Sequence, residues 1–251
     1  MHYKTVTVIV LVTLLWGCKN PEGNPKEGEP ASDTLAVAME TPTETWEVLF
    51  NGSSFDHWRG FLKEGMPPGW SIEAGAMSYT PGDTHGNDII SKDTYTNFIL
   101  SLEWKISEGG NSGIFWGVHE DAEFEYPYQT GPEIQVLDDE KHPDSFVGEG
   151  THKAGALYDM IAPAQSVVKP AGEWNLCIIE VDHNANKGMV SLNGTIIVEF
   201  PVQGAEWDAL VENSKFKGWK GFGIYPTGHL ALQDHGNQVW FRDIKIKRLP
   251  D

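Results

Sequence analysis

Over residues 97–106 apolar and polar positions alternate cleanly. Phe98, Leu100, Leu102, Trp104 and Ile106 fall on one side, with Asn97, Ser101, Glu103 and Lys105 on the other. Successive strand residues project to opposite faces, so the pattern predicts a half-buried antiparallel strand. Residues 173–181 are nearly apolar on both sides, as an inner strand would be. In 189–200, Asn193-Gly194 separates two β-branched runs and predicts a hairpin with a type I′ turn. Further strands are expected at 46–50, 70–73, 88–91, 112–118, 133–137, 221–225, 229–233 and 239–247, and one short helix at 205–212. Many short strands, with no sustained helical period and no β/α alternation, imply two packed antiparallel sheets. No internal repeat is visible.

Three segments put polar side chains where such a fold should be most apolar. They are Gly110-Asn111-Ser112-Gly113-Ile114-Phe115-Trp116, Gly131-Pro132-Glu133-Ile134-Gln135-Val136-Leu137-Asp138-Asp139 and Leu232-Gln233-Asp234-His235-Gly236. Glu133 and Gln135 share one strand face, while Ile134 and Val136 share the other. Carboxylate, amide and imidazole held beside apolar strands are what a sugar-binding or sugar-cleaving face requires. For any one segment the plain alternative is a solvated face.

The first residues add an address. Lys4 precedes an apolar run, 5–16, too short to span a bilayer comfortably. Leu15-Trp16-Gly17-Cys18 resembles a bacterial lipobox, with Trp16 in place of the usual small residue. Residues 1–17 are thus expected to be a signal peptide, with Cys18 lipidated. An ordinary signal peptide with a chance cysteine is the alternative. Residues 18–45, rich in acids and proline, read as a tether, followed by one β-rich domain over 46–251. The expected location is the periplasmic or cell-surface face of a bacterial membrane, reached through lipid alone. Cys177 is then the only other thiol and reads as a buried small hydrophobe.

The formal charge of −18, from 36 acidic and 18 basic residues, repels phosphate backbones and argues against a nucleic-acid partner. It suits neutral substrates or divalent cations. Ten tryptophans serve equally well for a core and for stacking on sugars.

Read in order, Trp46-Glu47-Val48-Leu49-Phe50-Asn51-Gly52 with Trp58, then 110–115, 133–138, 155–158, 170–175, Leu192-Asn193-Gly194 and 228–247, resemble the 3-keto-disaccharide hydrolase domain family. The likeness runs over about 46–248. It implies an all-β, concanavalin-A-like jelly-roll sandwich, bacterial export, and action on glycosides already oxidised at C3. A C3 ketone acidifies the C2 proton, so the glycosidic bond can break by β-elimination, and water addition to the enone gives net hydrolysis. That chemistry needs a base near C2, donors for the enolate oxygen and an acid for the leaving group. No Gly-rich dinucleotide fingerprint occurs here, so a separate sugar 3-oxidoreductase must supply the 3-keto-glycoside. Jelly-roll glucanases use paired acids on one strand, and Gln135 removes such a partner from Glu133. The alternative is a non-catalytic carbohydrate-binding lipoprotein of the same fold.

Under this resemblance Glu133 is the first candidate for proton transfer or metal ligation, with a structural acid bonded to backbone as its alternative. Gln135 would hold a sugar hydroxyl. His152 and Lys153 would polarise the ketone or stabilise an enolate, unless they decorate the surface. His235 is the second acid–base candidate. Asn111, Gln233 and Tyr158 are expected to bind substrate. Asp138 joins them only if the strand bends near Leu137. No cofactor is required, although Asp138, Asp139, Glu140 and Asp144 form an oxygen-rich loop suited to Ca²⁺.

Overall fold

The computed structural model describes residues 45–83 and 86–250. The expected signal peptide, the lipidated Cys18 and, apart from Thr45, the tether lie outside the described residues.

Two antiparallel sheets pack face to face in a concanavalin-A-like jelly-roll sandwich. The larger contains β1 (Glu47–Phe50), β3 (Trp70–Glu73), β4 (Ala76–Tyr79), β6 (Phe98–Ile106), β9 (Asn175–Asp182), β10 (Lys187–Leu192), β11 (Thr195–Phe200) and β13 (Val239–Arg248). The smaller runs in the order β2 (Trp58–Gly60), β5 (Ile89–Tyr95), β12 (Gly228–Leu232), β7 (Asn111–Val118), β8 (Glu133–Leu137). One helix, α1 (Gly204–Glu212), lies within a residue of its expected position.

The alternation at 97–106 does what the pattern implies: Phe98, Leu100, Leu102, Trp104 and Ile106 are all buried between the sheets. Ile114, Ile134, Val136, Leu230 and Leu232 meet them from the smaller sheet. Each such side chain contributes about 1.5–3 kcal/mol by leaving water. Cys177 lies in this core, where burial pushes its thiol up to about 12. Asn193 and Gly194, at φ 51° and 85°, both turn left-handed, as a type I′ hairpin needs.

One expected strand is absent. Residues 221–223 form a turn and 224–225 are irregular, because Gly221 and Gly223 sit at φ 89° and 66°, outside the extended region. Two strands escaped the sequence pattern, β2 and β4, which are too short to show a period.

The outer face of the smaller sheet decides where a site can form. Its β7 and β8 are buried on both faces. Part of that outer face carries a second apolar cluster, Phe61, Ile90, Phe115, Val118, Phe124 and Ala231. Next to this patch the same face turns polar.

Candidate active site

Strand register builds a polar floor. Across the smaller sheet Ile90 opposes Ala231, Ala231 opposes Phe115, and Phe115 opposes Glu133. This row is apolar until its last member. In the next row Gln135 opposes Gly113, whose carbonyl accepts the Gln233 N–H at 3.1 Å. Asn111 follows one step further along β7 and His235 just past β12. A Cβ on Gly113 would lie 2.8 Å from Cδ of Glu133, so the missing side chain is the space the Glu133 carboxyl occupies. The small residues of β7 therefore make room for the protein's own acid.

β8 is an edge strand, and residues 155–158 close that edge. Gly155 N–H donates to Gln135 O at 2.8 Å and Tyr158 N–H to Glu133 O at 3.0 Å. This brings Tyr158 beside Glu133. A segment after α1 supplies Lys215, Phe216 and Trp219. Together with Tyr128 these side chains wall a cavity of about 370 Å³, whose floor is Asn111, Glu133, Gln135, Gln233 and His235.

The two candidate acid–base groups are pushed in opposite directions. Desolvation raises the Glu133 carboxyl to about 8, against a smaller opposing pull from Lys215. No hydrogen bond reaches that carboxyl among the described residues, so the alternative of a structural acid bonded to backbone does not hold. His235 is held below the ordinary histidine value, by burial first and then by His142. Its Nε2 lies 3.5 Å from Asn111 Nδ2. Asn111 Oδ1 and Gln233 Oε1 are buried with no partner among the described residues, and both side chains line the cavity. Leaving a buried amide oxygen unpaired costs about 1–3 kcal/mol, so such atoms call for a ligand's donors.

His152 and Tyr158 belong to a relay. The Tyr158 hydroxyl donates to Asp144 Oδ2 at 3.1 Å. His152 sits between two carboxylates, Nδ1 3.0 Å from Asp144 Oδ1 and Nε2 2.8 Å from Asp159 Oδ1. Asp159 Oδ2 in turn accepts the Lys215 N–H at 2.6 Å. Both ring nitrogens of His152 are thus committed, and it does not line the cavity. Its expected contact with a ketone gives way to a supporting position. Lys153 also lies outside the cavity lining; the lysine there is Lys215, with Nζ 4.0 Å from the Tyr158 ring centroid.

Asp138 does not join the floor. Its Oδ2 accepts the Gly109 N–H at 2.7 Å and its Oδ1 the Glu140 N–H at 3.0 Å, which ties off two turns. Asp139 accepts the Ala154 N–H at 2.8 Å rather than lying in solvent. Among the described residues no three His, Cys, Asp or Glu side chains gather as a metal-ligand group.

Lys215, Phe216, Trp219 and Tyr128 were not singled out in the sequence, and neither was Asp88. That acid lies beside the floor at the start of β5, only 4 % exposed, and desolvation raises it to about 7. Its one sequence signal is position, directly before the buried Ile89-Ile90 pair.

Comparison with known proteins identifies the family. The profile of the 3-keto-alpha-glucoside-1,2-lyase-like domain matches residues 45–247. A 3-keto-disaccharide hydrolase of Bacteroides thetaiotaomicron is 34 % identical over 246 residues, covering 87 % of this chain and 83 % of that protein. A crystal structure of a candidate glycosyl hydrolase from Parabacteroides distasonis superposes with a TM-score of 0.74 at 32 % identity, covering 82 % of this chain and 94 % of that one. Another from the same organism gives 0.63 at 28 %, covering 82 % and 100 %. The matched span takes in every strand of both sheets except the last residue of β13, together with the whole floor and wall of the cavity, and the chain belongs to the 3-keto-alpha-glucoside-1,2-lyase-like domain family.

Proposed function

We propose that the chain cleaves the glycosidic bond of 3-keto-glycosides by elimination across C1 and C2, with water addition completing a hydrolysis. One observation carries this reading: Glu133 and His235 line one cavity with their proton affinities displaced in opposite directions. Groups separated in this way divide into an acid and a base. Near neutral pH Glu133 keeps its proton and His235 is an uncharged base.

The steps balance. His235 takes the C2 proton, the C1–C2 double bond forms, the C1–O bond breaks, and Glu133 protonates the departing oxygen. Water then adds at C1. Glu133 recovers a proton from that water, and His235 returns its proton to C2. Lys215, which lines the same cavity, supplies the positive charge that stabilises the developing C3 oxyanion, while the Tyr158 hydroxyl, donating to Asp144, holds its ring beside Lys215. Asn111 Oδ1 and Gln233 Oε1 accept from sugar hydroxyls.

A separate oxidoreductase class, acting at C3 of the sugar, supplies the substrate. The lipobox-like segment favours an exported, lipid-anchored protein, which mass spectrometry of the membrane fraction would check. Turnover of a 3-keto-glucoside, but not its unoxidised parent, with enone absorbance or released aglycone, is the deciding assay. Running it with and without chelator reads the calcium expectation. The binding-module reading is favoured by the two unpaired amide oxygens alone, and predicts affinity for both sugars with turnover of neither.

A further inference from the structure

We propose that Trp219 is the leaving-group platform of the site, and that the enzyme therefore selects glycosides whose C1 substituent presents a ring face: a second sugar or an aryl group. This rests on the catalytic reading above for its direction, but on separate observations for its location.

Trp219 differs from the tryptophans of the core by its exposure: Trp58, Trp70, Trp104, Trp116 and Trp207 are all buried, whereas 39 % of Trp219 is exposed. Trp58, Trp70 and Trp207 also spend the indole N–H on a backbone carbonyl, at 3.0, 2.7 and 3.0 Å, a bond Trp219 does not make among the described residues. It also stands where three hollows meet. It walls the catalytic cavity, a groove of about 400 Å³ with Tyr128, Gln129, Glu123 and Lys220, and a third hollow beside α1. The cavity and the groove share both Tyr128 and Trp219, so these two rings form the sill between them.

The sill is held in place. Trp219 packs edge-on against Phe216, with centroids 5.2 Å apart and planes at 89°, and Phe216 stacks on Phe222 at 3.8 Å. Tyr128 is 6.1 Å from Trp219 and stacks at 5.1 Å on Tyr126. The segment is tied at one end by Lys215 N–H to Asp159 and at the other by Gly223 N–H to Thr130 O at 2.8 Å. A ring so fixed loses little freedom when a ligand lies on it.

Direction follows from the floor. A sugar whose C1 to C3 atoms meet Glu133, His235 and Lys215 leaves its C1 substituent as the part that must exit without obstruction. We assign that exit to the neighbouring groove, which shares Tyr128 and Trp219 with the cavity. Aromatic faces bind the C–H faces of sugars and aryl rings, while Glu123 and Lys220 at the far rim suit hydroxyls rather than a long alkyl chain.

The test compares methyl 3-keto-glucoside with a 3-keto-disaccharide on wild type, Trp219→Ala, Trp219→Phe and, as a distant surface control, Trp46→Ala. Trp219→Ala is expected to raise KM for the disaccharide about tenfold or more while changing the methyl glycoside less than twofold. Trp219→Phe should recover most of the loss, and Trp46→Ala should match wild type. Equal losses on both substrates, or none on either, would overturn the platform. If wild type turns over neither ketone, the catalytic reading falls by itself. Titration of the unoxidised disaccharide and methyl glucoside on wild type and Trp219→Ala then decides the platform, which stands only if the alanine variant loses affinity for the disaccharide selectively.

Discussion

The floor of the cavity and its wall are built by different means. Asn111, Glu133, Gln135 and Gln233 ride on or directly beside paired strands, where register fixes each Cβ and neighbouring strands hold the backbone. Tyr158, Lys215, Phe216 and Trp219 ride on segments outside the strands, positioned by a few long-range bonds. Among these are the bonds from the Lys215 N–H to Asp159 and from the Tyr158 hydroxyl to Asp144. The floor is set by the same pairing that makes the fold, so it resists small perturbations until a group is itself replaced. The wall can be shifted as a unit by changing residues that never touch a ligand.

The largest break should come from the floor. Glu133→Gln keeps shape and neutrality but cannot give up a proton. We expect kcat to fall about 10²–10⁴-fold with KM little changed, measured on a 3-keto-glucoside. A fall in affinity with no kcat to lose would instead favour the binding module. The pH profile sharpens the same point. Wild-type kcat/KM should decline as pH rises through about 8, where Glu133 gives up its proton, and fall on the acid side as His235 becomes charged. Glu133→Gln should lack the alkaline limb.

Gly113→Ala tests the floor without replacing a titrating group. The added methyl meets the Glu133 carboxyl, which has to turn away or push β7 and β8 apart. Overpacking of this kind costs about 1–3 kcal/mol of stability. We expect a further 10–100-fold loss in kcat/KM (order of magnitude, from misplacement of the acid). In the double variant with Glu133→Gln this loss should largely vanish, since the two act through one contact. Additive losses would show that Gly113 serves some other purpose.

This contrast also explains what could be read from the chain. The floor was legible because period-two alternation assigns faces: Glu133 with Gln135, Ile134 with Val136. Asn111 and Gln233 were marked more simply, as polar residues in segments that should be apolar. What the pattern could not supply was the far side of the cavity. Lys153 was expected because it forms a basic pair with His152, yet the lysine in the cavity lies far along the chain at 215. Nothing local in Asn213-Ser214-Lys215-Phe216 marks its role, since the Lys215 backbone is placed by Asp159. Asp138 misled for the converse reason. An acid at a strand end near the site looks like a ligand, but both its oxygens are taken by backbone N–H groups of adjoining turns.

The wall's dependence on His152 gives a smaller effect. His152→Ala leaves Asp144 and Asp159 without their shared partner, and the orientation of Tyr158 and Lys215 loosens together. We expect about a tenfold fall in kcat/KM, with the alkaline limb near 8 unmoved because Glu133 is on the floor. His152→Ala that erased that limb would mean the imidazole handles the transferred proton itself, and would overturn its supporting position.

The smallest effect lies in stability. Folded Glu133 binds its proton more tightly than the unfolded chain does, whose value is near 4.5. Its contribution is therefore whole below about 4.5 and lost as pH rises through about 8, because the unfolded carboxyl ionises freely in water while the buried one resists. Asp88 has the same sign over a lower window, from 3.8 to about 7. Glu133→Gln should thus gain thermal stability relative to wild type as pH rises from about 4.5 to about 8 and stay level above it, by a few degrees in Tm for a domain of this size. Asp88→Asn should make most of its relative gain below about 7 and stay level beyond it. Measured side by side, the two variants separate an acid that faces the cavity from one that lies beside the floor. Adding a 3-keto ligand should change the Glu133→Gln difference and leave the Asp88→Asn difference where it was. If ligand moved both equally, Asp88 would belong to the site.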